Sequence, residues 1–96
     1  MKPSEILAAK RDEVLAVIAR YPVVNPRLFG SVARGEDREG SDLDILVDVA
    51  GAMSYFDIVG LEHELIDLLG LHVDVATSGE LKKGVLPSVL TDLRPL

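Results

Sequence analysis

The chain has 96 residues, 48% of them apolar, no cysteine, and a net charge of −6 from ten Lys and Arg against sixteen Asp and Glu. That length holds one domain, residues 1–96, with a modest core; the apolar content is too high for a disordered chain, and no apolar run approaches the ~18 residues of a membrane span. The acidic balance argues against direct nucleic-acid binding by phosphate neutralisation, and the lack of cysteine excludes disulfides and thiolate metal sites, so a cytoplasmic protein without membrane or nucleic-acid contacts is expected.

Residues 4–20 are patterned as a helix rather than as a signal peptide, with Leu7, Val14, Ile18 and Tyr21 at near-helical spacing. Ser4 is a plausible N-cap, and Pro22 ends the helix. A short strand follows over residues 24–29, and Pro26 inside it suggests a late start or an edge position. Gly30 to Gly35 reads as a glycine-bounded turn containing one turn of helix, and residues 36–41 as a solvated polar loop. Residues 42–49 form the clearest strand: Leu43, Ile45, Val47 and Val49 share one face, Asp42, Asp44, Leu46 and Asp48 the other. Ser54 and Asp57 form a capping-box variant at the start of a second long helix, whose apolar stripe is Ile58, Leu61, Leu65, Leu68 and Leu69. Gly70 sits where a helix-ending glycine belongs. A third strand spans residues 71–77, with His72, Asp74 and Ala76 opposite Leu71, Val73 and Val75, and Pro87 opens a short terminal helix through Leu93. The layout is an α/β (α+β) domain: a small mixed sheet of about three strands flanked by helices.

Charge is unevenly distributed. Between Arg34 and Asp48 six carboxylates face two arginines, and Asp42 and Asp44 are embedded in an apolar strand. Carboxylates beside a core need a compensating partner. At i and i+2 on one strand their Cα atoms lie about 6.6 Å apart on the same face. Asp74 stands mid-strand in a second apolar run, so adjacency of the two strands brings three carboxylates together. Such a cluster repels itself unless a cation is present, and Mg²⁺ takes oxygen ligands of this kind while keeping positions open for phosphates. Gly30-Ser31, directly after the first strand, offers close backbone approach and free N–H groups to a phosphate. Other phosphate and metal motifs fail. Gly30 and Gly35 have the spacing of a phosphate-binding loop, but Glu36 stands where that loop needs Lys; no G-x-G-x-x-G occurs, and an EF-hand would need its glycine later.

The segment GSVARGEDREGSDLDILVD, Gly30 to Asp48, with Asp74 in HVDVAT, resembles the G-S-x₁₀-D-x-D signature of the polymerase-β-like nucleotidyltransferase superfamily, and its compactness is similar to the minimal nucleotidyltransferases. The resemblance implies that fold, and an antitoxin paired with a HEPN-domain toxin, an RNase. It implies that Asp42, Asp44 and Asp74 bind two Mg²⁺ ions, with Asp74 nearer the acceptor and assisting its deprotonation. It further implies that Gly30 and Ser31 hold the β- and γ-phosphates of ATP, and that Arg34 neutralises phosphate or braces the loop. The reaction would be attack of a hydroxyl, a tyrosine of the toxin, on the α-phosphorus of ATP with loss of pyrophosphate. Two alternatives are an antitoxin acting by binding alone and a small-molecule, aminoglycoside-like nucleotidyltransferase. Asp48 is read as a surface carboxylate, His63 as a residue of a polar helix face, His72 as a strand-end histidine that shares the face of Asp74, and Tyr21, Phe29, Tyr55 and Phe56 as packing residues.

Overall fold

Proline at the first position of a helix loses no hydrogen bond, and Pro3 opens α1 (Pro3–Ile18) in the computed structural model, which describes residues 1–79 and 93–96. The elements that follow are β1 (Val23–Phe29), α2 (Gly30–Arg34), β2 (Leu43–Val49), α3 (Tyr55–Leu69), β3 (Val73–Thr77) and β4 (Arg94–Pro95). The helix expected to open at Pro87 lies outside the described residues.

The start of α1 corrects two expectations. The cap residue is Lys2, not Ser4. Its free N–H groups are met by carboxylates: Lys2 N–H donates to Glu5 at 2.9 Å, and Ser4 N–H donates to Asp37 Oδ2 at 2.9 Å. Asp37 is therefore a buried capping residue rather than part of a solvated loop. Midway, Lys10 leaves helical geometry (φ −123°, ψ 20°), and its ammonium donates to the Leu68 carbonyl at 2.8 Å, tying the kink to the end of α3.

At α3 the local signals decide the structure. Ser54 Oγ accepts from Asp57 N–H and the Asp57 carboxylate accepts from Ser54 N–H, while Gly70 closes the helix in the left-handed region at φ 70°. The stripe Leu61, Leu65 and Leu69 is buried against α1 and the sheet, and Leu61 and Leu65 are wholly so. Each full burial contributes about 2–3 kcal/mol.

Among the described residues the sheet order is β3-β2-β1-β4, one short strand more than the sequence suggested. β2 and β3 run parallel, joined by the α3 crossover that parallel strands require; β1 is antiparallel to both β2 and β4. β1 is thus interior rather than an edge. Pro26 is tolerated because the ladder is interrupted between Val24 and Arg27, beside Asn25 at φ 55°. Asp48 stabilises this bulge, accepting from Arg27 at 2.5 Å and from Asn25 at 3.2 Å.

Strand alternation sorts the residues as expected. Leu43, Ile45, Val47, Val73 and Val75 are buried in the core with the helices. On the opposite face Asp44 lies in register with Phe29 on one side and Asp74 on the other. Val49 departs from the pattern: it is exposed at the strand end. Tyr55 and Phe56 are 75% and 83% exposed, so they are surface aromatics, not packing residues. They occupy the first turn of α3, off its buried stripe.

Candidate active site

The end of β1 and the start of β2 meet through one glycine. Phe29 leaves the strand extended, Gly30 takes φ +73°, and α2 begins at once. A Cβ on Gly30 would overlap the Asp44 carboxylate. Only glycine therefore permits both the backbone angle and this approach, which seats Asp44 directly against the elbow. Ser31, the next residue, is half-buried in α2.

Parallel pairing then sets Asp74 beside Asp44, with Leu43 N–H donating to the His72 carbonyl at 2.9 Å to hold the register. Asp42 stands just before β2 and reaches the same place. Donor atoms of Asp42, His72 and Asp74 all lie within 4.8 Å of one another, and all three side chains are exposed. His72 Nε2 is 3.1 Å from Asp74 Oδ1. The structure thus brings Gly30, Asp42, Asp44 and Asp74 to one end of one sheet face. It adds His72, which the sequence alone does not assign to the site. The signal was present in His72-Val73-Asp74, because residues two apart on a strand share a face.

Electrostatics single out Asp44. Burial, then the neighbouring Asp74 and Asp42 carboxylates, push its carboxyl up to about 6, with Arg34 and His72 acting in the opposite sense. A positive ion at this spot would reverse the repulsion. The donor set of Asp42, His72 and Asp74, two exposed carboxylates and one imidazole, suits a divalent cation with positions left for other ligands, and the half-buried Asp44 carboxylate stands beside it. Arg34 is exposed; its Nε donates to Glu36 Oε2 at 3.1 Å, and its charge is felt at Asp44. Asp48, paired with Arg27, lies farther along β2 and takes no part in the cluster. A recess of about 520 Å³ flanks the cluster on the His72 side, lined in part by Pro3, Ile6, Gly40, Ser41 and Leu71. No helix among the described residues is long and apolar enough to cross a membrane.

Comparison with known proteins identifies the family of the chain. Residues 12–96 match the nucleotidyltransferase domain family. The protein adenylyltransferase MntA of Thermococcus cleftensis is 40% identical over 88 residues, which cover 92% of this chain and 86% of that one. A solved structure described as a minimal nucleotidyltransferase is 41% identical and superposes with a TM-score of 0.78, covering 97% of this chain and 95% of the other. A tri-AMPylated HEPN toxin of Shewanella oneidensis in complex with an MNT antitoxin also superposes, with a TM-score of 0.70 over 92% of this chain and 69% of that one; at 18% identity this shows the fold alone. The chain therefore belongs to the nucleotidyltransferase domain family, as a minimal nucleotidyltransferase and an enzyme akin to the protein adenylyltransferases.

Proposed function

We propose that this enzyme transfers AMP from ATP to a tyrosine hydroxyl on a partner HEPN-type toxin and acts as its antitoxin. The observation that carries the reading is the seating of Asp44 between the Gly30 elbow and Asp74. Elbow and acids are then adjacent, as a triphosphate bound by its tail and attacked at its first phosphorus requires. Gly30 and Ser31 receive the β- and γ-phosphates, and Arg34 lends positive charge. Asp42, Asp44 and Asp74 would hold Mg²⁺, which supplies charge stabilisation for attacking and leaving oxygens when bound. In an in-line displacement the acceptor enters opposite the leaving group. With pyrophosphate at the elbow, beside β1, the hydroxyl approaches from the β3 side. There it meets Asp74, which accepts its proton. The new bond joins the acceptor oxygen to the α-phosphorus; the bond to the bridging oxygen breaks, and pyrophosphate leaves.

A protein acceptor fits the recess beside His72, which opens outward. The names of the relatives support both the adenylyl group and the HEPN partner. The acidic surface steers a basic partner toward the site. The test is incubation with ATP, Mg²⁺ and the HEPN partner, followed by mass spectrometry. The expected result is a mass increment of one or more AMP groups on a partner tyrosine, lost with Asp42→Asn plus Asp44→Asn. If that double variant still neutralises the toxin fully, neutralisation proceeds by binding alone.

A further inference from the structure

Resting on the reading of the acidic cluster as a metal site, we propose that His72 is itself a metal ligand, and that its imidazole makes the site favour Mn²⁺ over Mg²⁺.

The geometry is close to that of a ligand set. Neighbouring ligands of a six-coordinate ion with bonds of about 2.1 Å stand about 3.0 Å apart, and opposite ones about 4.2 Å. His72 Nε2 and Asp74 Oδ1 are 3.1 Å apart, and the donor atoms of Asp42, His72 and Asp74 all fall within 4.8 Å. The backbone keeps them there. Val73, between His72 and Asp74, is buried, and the Leu43 N–H bond to the His72 carbonyl locks that residue beside Asp42. The imidazole is also open to an incoming ion, since the His72 side chain is 59% exposed. Chemistry gives the preference its sign. Mg²⁺ is a hard ion that selects oxygen, whereas Mn²⁺, although also an oxygen-binding ion and the weakest of the transition series, gains more from an added imidazole nitrogen than Mg²⁺ does.

The probe is Mn²⁺ alone, added to the full chain without nucleotide. Free Mn²⁺ is followed by its paramagnetic resonance signal, Mg²⁺ serves as competitor, and bound Mn²⁺ is examined by pulsed resonance for coupling to ¹⁴N. The wild-type chain is expected to show directly coordinated nitrogen and to bind Mn²⁺ about tenfold more tightly than Mg²⁺. His72→Ala is expected to lose the nitrogen coupling and about tenfold in Mn²⁺ affinity, with little change for Mg²⁺. His72→Asp, which restores an oxygen donor, is expected to close the gap between the two ions. Because His72 is exposed, both variants should keep the wild-type circular dichroism spectrum. Bound Mn²⁺ without nitrogen coupling, or equal losses for both ions in His72→Ala, overturns the proposal and leaves His72 as a hydrogen-bond partner of Asp74. A wild-type chain that binds neither ion overturns it differently, by removing the metal reading beneath it.

Discussion

At Asp44, burial and two neighbouring carboxylates act in the same direction, and the consequence is a measurable pH dependence. Its carboxyl titrates near 6 in the fold and near 3.8 in the unfolded chain. The folded state therefore holds this proton more tightly, and ionising the group costs folding energy. The penalty grows as pH rises from about 4 to about 6 and stands in full above that. After allowance for solvent screening it amounts to about 1–2 kcal/mol. Asp44→Asn is accordingly expected to raise the metal-free melting temperature at neutral pH, by about 4–8 °C per kcal/mol, and to leave it unchanged near pH 4. Thermal melts in chelator at both pH values check this; an equal shift at both would refute it. Gly30 gives the complementary case. Alanine there meets both a left-handed backbone and the Asp44 carboxylate, whereas alanine at Gly35 (φ +71°) meets open space. Each substitution is expected to cost about 1–2 kcal/mol of backbone strain. Only Gly30→Ala should also reduce AMP transfer, by about 100-fold, because Asp44 must move. Denaturant unfolding and transfer assays on the two variants separate strain from displacement.

Among the elements, α1 and α3 show why some features were legible and others were not. The cap of α3 lies within a single turn, Ser54 to Asp57, so the local sequence contains the whole device. The cap of α1 is completed by Asp37, 33 residues beyond Ser4, and no local pattern announces that part of it; a carboxylate in a polar stretch reads as solvated. The same limit applies to β1, whose interior position depends on β4 pairing from the other end of the chain. It applies again at the outer side of β3, where Glu62 on α3 accepts the Val75 N–H at 2.7 Å and so covers an edge donor. The Asp37 cap has its own pH signature. Burial raises its carboxyl, but hydrogen bonds from the Ser4 backbone and side chain outweigh this and hold it below the ordinary value. A depressed carboxylate contributes stability above its unfolded value, near 3.8, and loses it as pH falls through the folded one. Asp37→Ala is expected to cost about 1 kcal/mol at neutral pH. That deficit should shrink in acid, as urea unfolding at the two pH values can measure.

For the molecule as a whole, the site is an assembly of two halves with different origins. The half from Gly30 to Asp44 is contiguous, and its glycine–serine turn and paired aspartates were readable as a unit. The other half, His72 and Asp74, exists only because α3 returns the chain parallel to β2. Alternation made Asp74 a candidate; only the observed register placed it beside Asp44 and His72 near Asp42. Joining the halves concentrates negative charge that the unfolded chain spreads out, so an ion that bridges them binds the fold and not the coil. Folding and ion binding are then linked: an ion at tenfold excess over its dissociation constant stabilises by about 1.4 kcal/mol. For a chain of this size that corresponds to a rise of about 6–11 °C in melting temperature. Addition of Mg²⁺ or Mn²⁺ is expected to give that rise, and chelator to reverse it. NaCl at matched ionic strength should give only the smaller part that arises from screening. Asp42→Asn plus Asp44→Asn should melt above the metal-free wild type and respond to neither divalent ion. A divalent-ion response that survives in this double variant, or that NaCl reproduces in full, would show the cluster to be an ordinary acidic surface rather than a bridge between the two halves.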